Sequence, residues 1–243
     1  MRVMLTRPRP ESEVLAEQLR APGEEILIEP MLNIVASNEP VSLEGIQAVL
    51  ATSANGVRCL AATIDQRDLP LFAVGDATAR SAADAGFTRI ENAQGESEAL
   101  GRLVAARLSP ADGSLLHIRG QNIAGDLAGQ LETQGFTVTS AILYRAEPAT
   151  ELSSAARSWL ETEKCDAILF FSPRTARTFV SLLNATGLQA CCARITALCL
   201  SQAVADEAAA ISWGDLRIAM TPDSTAMIQL YDELRLTKDT HRS

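Results

Sequence analysis

Hydroxyl-bearing residues recur where apolar runs give way to amphipathic ones. Thr52 and Ser53 follow one such run, Ser172 and Ser201 follow two others, and Ser97 and Ser224 stand at the head of two further amphipathic stretches. Asn55 lies just beyond Ser53, and Gly75 ends the run that starts at Leu71. Arg7 and Arg119 close apolar runs of their own, before Pro8 and Gly120, and Tyr144 closes another. Residues of these types donate hydrogen bonds. Hydroxyls and nearby backbone amides suit single anionic oxygens, and a guanidinium forks onto a carboxylate. A phenol can also hand over a proton. Each group has a local reading too. Ser, Thr and Asp cap the free N–H groups of a first helical turn, Arg7 and Arg119 can pair within the chain to fix a loop, and a Tyr often fills a core.

Other chemistries find no support. Of the two histidines, His117 lies in an expected strand and His241 in a polar tail, which argues against a Ser-His-Asp triad or a His-ligated metal. Neither GxGxxG nor GxxxxGK[ST] occurs, so nucleotide cofactors have little basis. The carboxylate pairs Glu24–Glu25 and Glu161/Glu163 fall in polar connections and read as solvated. A net charge of −9 argues against a nucleic-acid face, which needs clustered cations. It also requires any anion site to draw on local donors against an unfavourable overall field. Cys59, Cys165, Cys191, Cys192 and Cys199 show no metal spacing, and Cys59, Cys165 and Cys199 read as small buried hydrophobes of a reducing compartment. No apolar stretch approaches the roughly 20 residues of a membrane span, and the start lacks a leader pattern. The expectation is a cytoplasmic protein, away from membranes.

Short apolar runs alternate with longer amphipathic ones, the pattern of parallel sheets covered by helices. Strands are expected near Arg2–Thr6, Glu25–Pro30, Gln47–Thr52, Leu71–Gly75, Arg89–Glu91, Ser114–Arg119, Thr137–Tyr144, Asp166–Phe171, Ile195–Leu200 and Leu216–Met220. Helices belong between them, the first near Glu11–Arg20 and another near Ile123–Gln134, stopped by Gly135. The pattern repeats. Met4–Leu32 recurs as Leu116–Tyr144, Ala48–Leu60 as Ala167–Phe179, Ala73–Ala85 as Cys199–Ile211, and Ser97–Leu103 as Ser224–Leu230. A duplicated strand-to-helix unit implies two similar lobes with a cleft, and ligands of parallel α/β sheets bind beyond the carboxyl ends of the strands.

Six segments in order resemble uroporphyrinogen-III synthases: VMLTRP, ATSANGVR, AVGDATA, the RG run through GF to LYRA, DAILFFSPRTA, and the helix headed by Ser224. The resemblance spans nearly the whole chain. It implies two flavodoxin-like lobes with parallel sheets, joined by a two-stranded antiparallel linker, the chain crossing between lobes twice. One lobe would comprise 1–34 plus 147–243 and the other 38–137, with linker strands within 34–38 and 138–146. The repeat taken alone would instead cut the chain near Ser109–Asp112.

The resemblance also implies the reaction. Hydroxymethylbilane, a linear tetrapyrrole with eight carboxylates, closes with loss of water and inversion of the last pyrrole, without a metal or organic cofactor. Apart from the resemblance, nothing in the sequence suggests an extended apolar interface, so a monomer is expected. Tyr144 matches the residue that assists departure of the hydroxyl, and Thr78 the Thr of the VGxxTA motif. Arg7, Thr52, Ser53, Asn55, Gly75, Ser97, Arg119, Gly120, Ser172, Ser201 and Ser224 would line the substrate site. The second copy departs from the motif: Val204 stands where a Thr is expected, leaving Ser201 as the donor there. The runner-up is a non-catalytic bilobal protein that binds an anionic small molecule. A receiver pair would need an Asp at strand ends, where Thr52, Ser53 and Ser172 stand, and a flavin protein would need a phosphate loop.

Overall fold

The computed structural model describes residues 1–37, 39–122 and 125–240. Its elements run β1 (Arg2–Leu5), α1 (Arg9–Leu19), β2 (Glu25–Ile28), β3 (Leu32–Ala36), β4 (Ile46–Ala51), α2 (Ala54–Thr63), β5 (Leu71–Ala73), α3 (Asp76–Asp84), β6 (Ile90–Asn92) and α4 (Ser97–Arg107). They continue with β7 (Ser114–Gly120), α5 (Leu127–Glu132), β8 (Val138–Pro148), α6 (Ser154–Glu161), β9 (Ala167–Phe170), α7 (Pro173–Thr186), β10 (Thr196–Cys199), α8 (Gln202–Ala208), β11 (Asp215–Ile218) and α9 (Ser224–Thr240). None of the described helices is long and apolar enough to cross a membrane.

The chain divides into two compact units, 1–33 with 147–243, and 34–146. In the first, the strand order is β11-β10-β9-β1-β2, all parallel. Renumbered within the unit, this is 2-1-3-4-5, the flavodoxin order. In the second, the sheet runs β3-β8-β7-β4-β5-β6, with β8 through β6 parallel. The divisions at 33/34 and 146/147 fall inside β3 and β8. These strands run antiparallel: Ala149 N–H donates to Met31 O and Ser37 N–H to Leu143 O, so the partner number falls as the chain advances.

Mapping the sequence repeat onto these sheets shows a reciprocal exchange. β7 and β8 repeat β1 and β2, while β9, β10 and β11 repeat β4, β5 and β6. Yet β1 pairs with β9, and β7 with β4. Apart from β3, each unit therefore combines the first two strands of one copy with the last three of the other. The register survives the exchange. Met4 faces Ile168, and its counterpart Leu116 faces Val49, the counterpart of Ile168. Likewise Leu5 faces Leu169 as His117 faces Leu50.

Both sheets are covered on both faces, which is why their central strands are unbroken apolar runs. In the second unit Val49, Ala51, Leu116 and Ile118 pack with Val57 and Leu60 of α2, while Ala48, Leu50 and Leu115 pack with Leu100 of α4 and Leu131 of α5. In the first, Met4, Ile168 and Phe170 meet Phe179 of α7, and Val3, Leu5 and Leu169 meet Leu15 of α1 and Tyr231 of α9.

Several expectations need correction. α5 begins only at Leu127, because Gly125 takes φ +79° and Asp126 caps the helix by accepting Gly129 N–H at 3.0 Å. Its expected first residues, Ile123 and Ala124, lie outside the described residues, as do Asn38 and His241. Tyr144 does not end its strand, since pairing with β3 carries β8 on to Pro148. Glu24 is not solvated: its carboxylate, 4% exposed, accepts the Tyr231 hydroxyl at 2.5 Å and lies 3.4 Å from the Met1 ammonium. Cys59 is half-buried rather than buried, whereas Cys192 is enclosed.

Candidate active site

At the carboxyl edge of the second unit's sheet, Ser53 stands one residue beyond Thr52, just past the end of β4, and caps α2, its Oγ accepting Gly56 N–H at 3.0 Å. The same oxygen lies 2.9 Å from the phenol oxygen of Tyr144. Tyr144 reaches it because β7 and β8 shift register between Arg119 and Gly120, which brings Gly120 opposite Tyr144. The ring then lies against a residue with no side chain. A Cβ on Gly120 would sit 2.8 Å from the Tyr144 Cζ. Sequence adjacency alone joins neither Ser53 nor Gly120 to Tyr144; the central pairing of β4, β7 and β8 does.

Around this pair lie the other expected residues of that edge. Thr52 Oγ1 is 3.5 Å from His117 Nε2, the outer limit of a hydrogen bond. Asn55 Oδ1 accepts from Arg58 at 2.8 Å. Arg119 donates to Gly120 O at 3.2 Å and makes no ion pair among the described residues. Gly75 caps α3 with an extended backbone, and nothing nearer than 3.9 Å would meet a Cβ there. Thr78, in the first turn of α3, is only 4% exposed, and its N–H donates to Gly75 O. Ser97 is the first residue of α4 rather than its cap, which is Glu96, and it lies beside Gly125.

In the first unit, Ser172 caps α7 by accepting Thr175 N–H at 3.2 Å, and Pro173 takes the first helical position. Ser201 precedes α8 without a side-chain cap bond. Ser224 also fails as a cap. Asp223 does that work, accepting Ala226 N–H at 2.9 Å and the Thr221 hydroxyl at 2.6 Å. These contacts, the Thr221 hydroxyl first, hold the Asp223 carboxyl below its ordinary pKa. The Arg7 guanidinium stacks over the Phe171 ring at 4.7 Å.

His117 is the functional-site neighbour that sequence reasoning passed over. It is 5% exposed. Burial, with Arg119 adding to it, pushes its pKa from 6.5 to about 4, so the imidazole is neutral at physiological pH. A signal was present: the repeat places His117 and Thr52 where the first unit has Leu5 and Phe171. An apolar pair has become a polar one beneath the edge that carries Tyr144.

Comparison with known proteins adds identity to this geometry. The chain aligns in structure with uroporphyrinogen-III synthetase from Helicobacter pylori 26695, at TM-score 0.64 and 19% identity, over 96% of this chain and 100% of the other. It also aligns with a mutant uroporphyrinogen III synthase from the extremely thermophilic bacterium Thermus thermophilus, at TM-score 0.49 and 20% identity, over 98% and 99% of the two chains. The Helicobacter likeness supports the fold. No curated protein sequence matches. The family profile described as Uroporphyrinogen-III synthase HemD matches residues 13–229. With nine-tenths of its length inside that profile, the chain belongs to the uroporphyrinogen-III synthase family of cyclising hydro-lyases.

Proposed function

We propose that this chain closes hydroxymethylbilane to uroporphyrinogen III in tetrapyrrole biosynthesis, and that Tyr144 protonates the hydroxyl as it leaves. The observation that carries the residue-level reading is the Tyr144 phenol held 2.9 Å from Ser53 at the carboxyl edge of a flavodoxin-order sheet. That edge is where parallel α/β folds place their ligands.

Loss of the hydroxyl leaves a delocalised azafulvenium cation on the first ring. The substituted carbon of the last ring attacks it to give a spirocyclic pyrrolenine, which reopens and closes at that ring's free α-carbon in the inverted sense. The hydrogen lost from that carbon as the pyrrole reforms balances the proton given to the leaving hydroxyl. The cation forms readily, so the protein's main task is to hold the chain ends in the inverting geometry. A neutral phenol suffices as the acid. Thr78 is the second hydroxyl assigned to this step. Thr52, Asn55, Gly75, Ser97, Arg119 and Gly120 on the second unit, with Arg7, Ser172, Ser201 and Ser224 on the first, are assigned to the substrate's carboxylates, and Ser53 lines the same site beside Tyr144. The capped first turns of α2 and α7 offer further N–H donors. We take the two units as the family's two lobes, with β3 and β8 as their linker. The enzyme is assigned as a cytoplasmic monomer. Five free cysteines suit a reducing compartment.

The test is turnover of freshly made hydroxymethylbilane with the product isomers resolved. The proposal expects isomer III. Isomer I alone, at the uncatalysed rate, would leave the non-catalytic binding protein as the reading.

A further inference from the structure

The two units use the same capping serine differently. In the first, Thr175 gives its hydroxyl proton to Ser172 O at 2.8 Å, and Ser172 Oγ donates to Thr175 Oγ1 at 3.2 Å. The proton of the capping hydroxyl is thus taken up inside the helix turn. In the second unit the repeat puts Gly56 in the place of Thr175. No hydroxyl is there to receive a proton from Ser53. The space is also needed, since a Cβ on Gly56 would sit 3.2 Å from Ser53 Oγ. Two other replacements accompany this one: Gly120 stands for Pro8 and Tyr144 for Leu32. Together they bring a phenol oxygen to 2.9 Å from Ser53 Oγ.

A serine hydroxyl has one proton and two lone pairs. The cap bond from Gly56 N–H occupies one lone pair. We propose that Ser53 is a positioning residue for Tyr144, donating its hydroxyl proton to the phenol oxygen so that the phenol keeps its own proton to give. This inference rests on the reading of Tyr144 as the acid for the leaving hydroxyl. The bond orients the ring, and it steadies the negative charge that grows on the phenol oxygen as its proton departs. It strengthens as that charge grows, because hydrogen bonds to ionised acceptors are the stronger ones. The partial positive charge at the N-terminus of α2, which Ser53 caps, acts in the same sense. Ser53 itself forms and breaks no covalent bond.

The chain has two tyrosines, Tyr144 and Tyr231. Burial and then the Glu24 carboxylate raise the Tyr231 phenol well above its ordinary pKa, so the phenolate absorbance that appears on raising pH reads Tyr144. A Tyr231→Phe background confirms the assignment. Ser53→Ala and Ser53→Gly are expected to raise the Tyr144 phenol pKa by about one unit, a tenfold loss of acidity. They should lower kcat by a similar factor with KM little changed. Ser53→Thr should restore both. Gly is itself an accepted N-cap residue, so it guards against a helix that fails to form in the Ala variant. An unchanged phenol titration in the Ala and Gly variants overturns the proposal. A shifted titration with unchanged turnover overturns the catalytic reading of Tyr144 while leaving the Ser53–Tyr144 bond in place.

Discussion

Gly120 faces Tyr144 so closely that any side chain on the glycine would displace the ring, its Cβ falling 2.8 Å from Cζ, 3.0 Å from Cε2 and 3.1 Å from the phenol oxygen. The glycine needs no unusual backbone here. What it supplies is absence of bulk at the register shift where β8 comes alongside β7. Gly120→Ala should therefore destabilise the protein by about 1–3 kcal/mol through overpacking and carry the phenol away from Ser53. Turnover should fall to the level of Tyr144→Phe, since a displaced phenol serves no better than a missing one. Urea denaturation and initial rates on the same preparation check both parts. Full activity in the alanine variant would show that the ring does not work from this position.

Tyr144→Phe itself should slow turnover without changing the product. The cation forms easily and geometry determines which isomer emerges, so isomer III should persist. A loss above about 10³-fold, equivalent to roughly 4 kcal/mol, would mean that proton donation and not positioning dominates. A switch to isomer I would mean that the phenol also holds the chain ends.

The strands and the alternation of the fold were legible because their cause is local. Buried parallel strands such as Ala167–Phe170 must be apolar throughout, and their helices must begin with groups that satisfy free N–H donors. Ser53, Ser172 and Pro173 could be read on that basis. Ser224 could not, since Asp223 one residue earlier offers an equally good oxygen and sequence does not choose between neighbours. The bond from Ser53 to Tyr144 was beyond reach for a different reason. It joins residues 91 apart and depends on β7 lying between β4 and β8, a fact of pairing that no periodicity records. Glu24 was misread in the same way, because the phenol that buries it comes from α9, at the other end of the chain.

Acidity should test the buried His117. Its pKa is about 4 in the folded chain against 6.5 for an unperturbed histidine. Between those values the unfolded chain binds more protons than the folded one, so stability rises with pH. The contribution is complete above 6.5 and is lost as pH falls toward about 4, reaching at most about 3 kcal/mol. His117→Leu, which copies the Leu5 of the first unit, should flatten that part of the stability profile. Urea midpoints across this range, compared for the two proteins, measure it. Equal slopes would show that His117 stays neutral in the unfolded chain or charges freely in the folded one.

The exchanged strands make one further prediction, about where the chain can be cut. Ser109–Asp112 is exposed and lies at the boundary between the two sequence copies. Were the copies two independent domains, a break there would release them. The pairing says otherwise. Val3–Leu5 is hydrogen-bonded to Ala167–Leu169, and Ala48–Ala51 to Leu115–Ile118, so the central strand pair of each unit spans the break. A protease site inserted after Pro110 and then cleaved should give two fragments that co-elute in native buffer and part only in denaturant. Neither fragment can leave without exposing the buried faces of both sheets, including Met4, Leu5, Leu50 and Leu116, each no more than 1% exposed. Separation of the fragments in native buffer would refute the exchange.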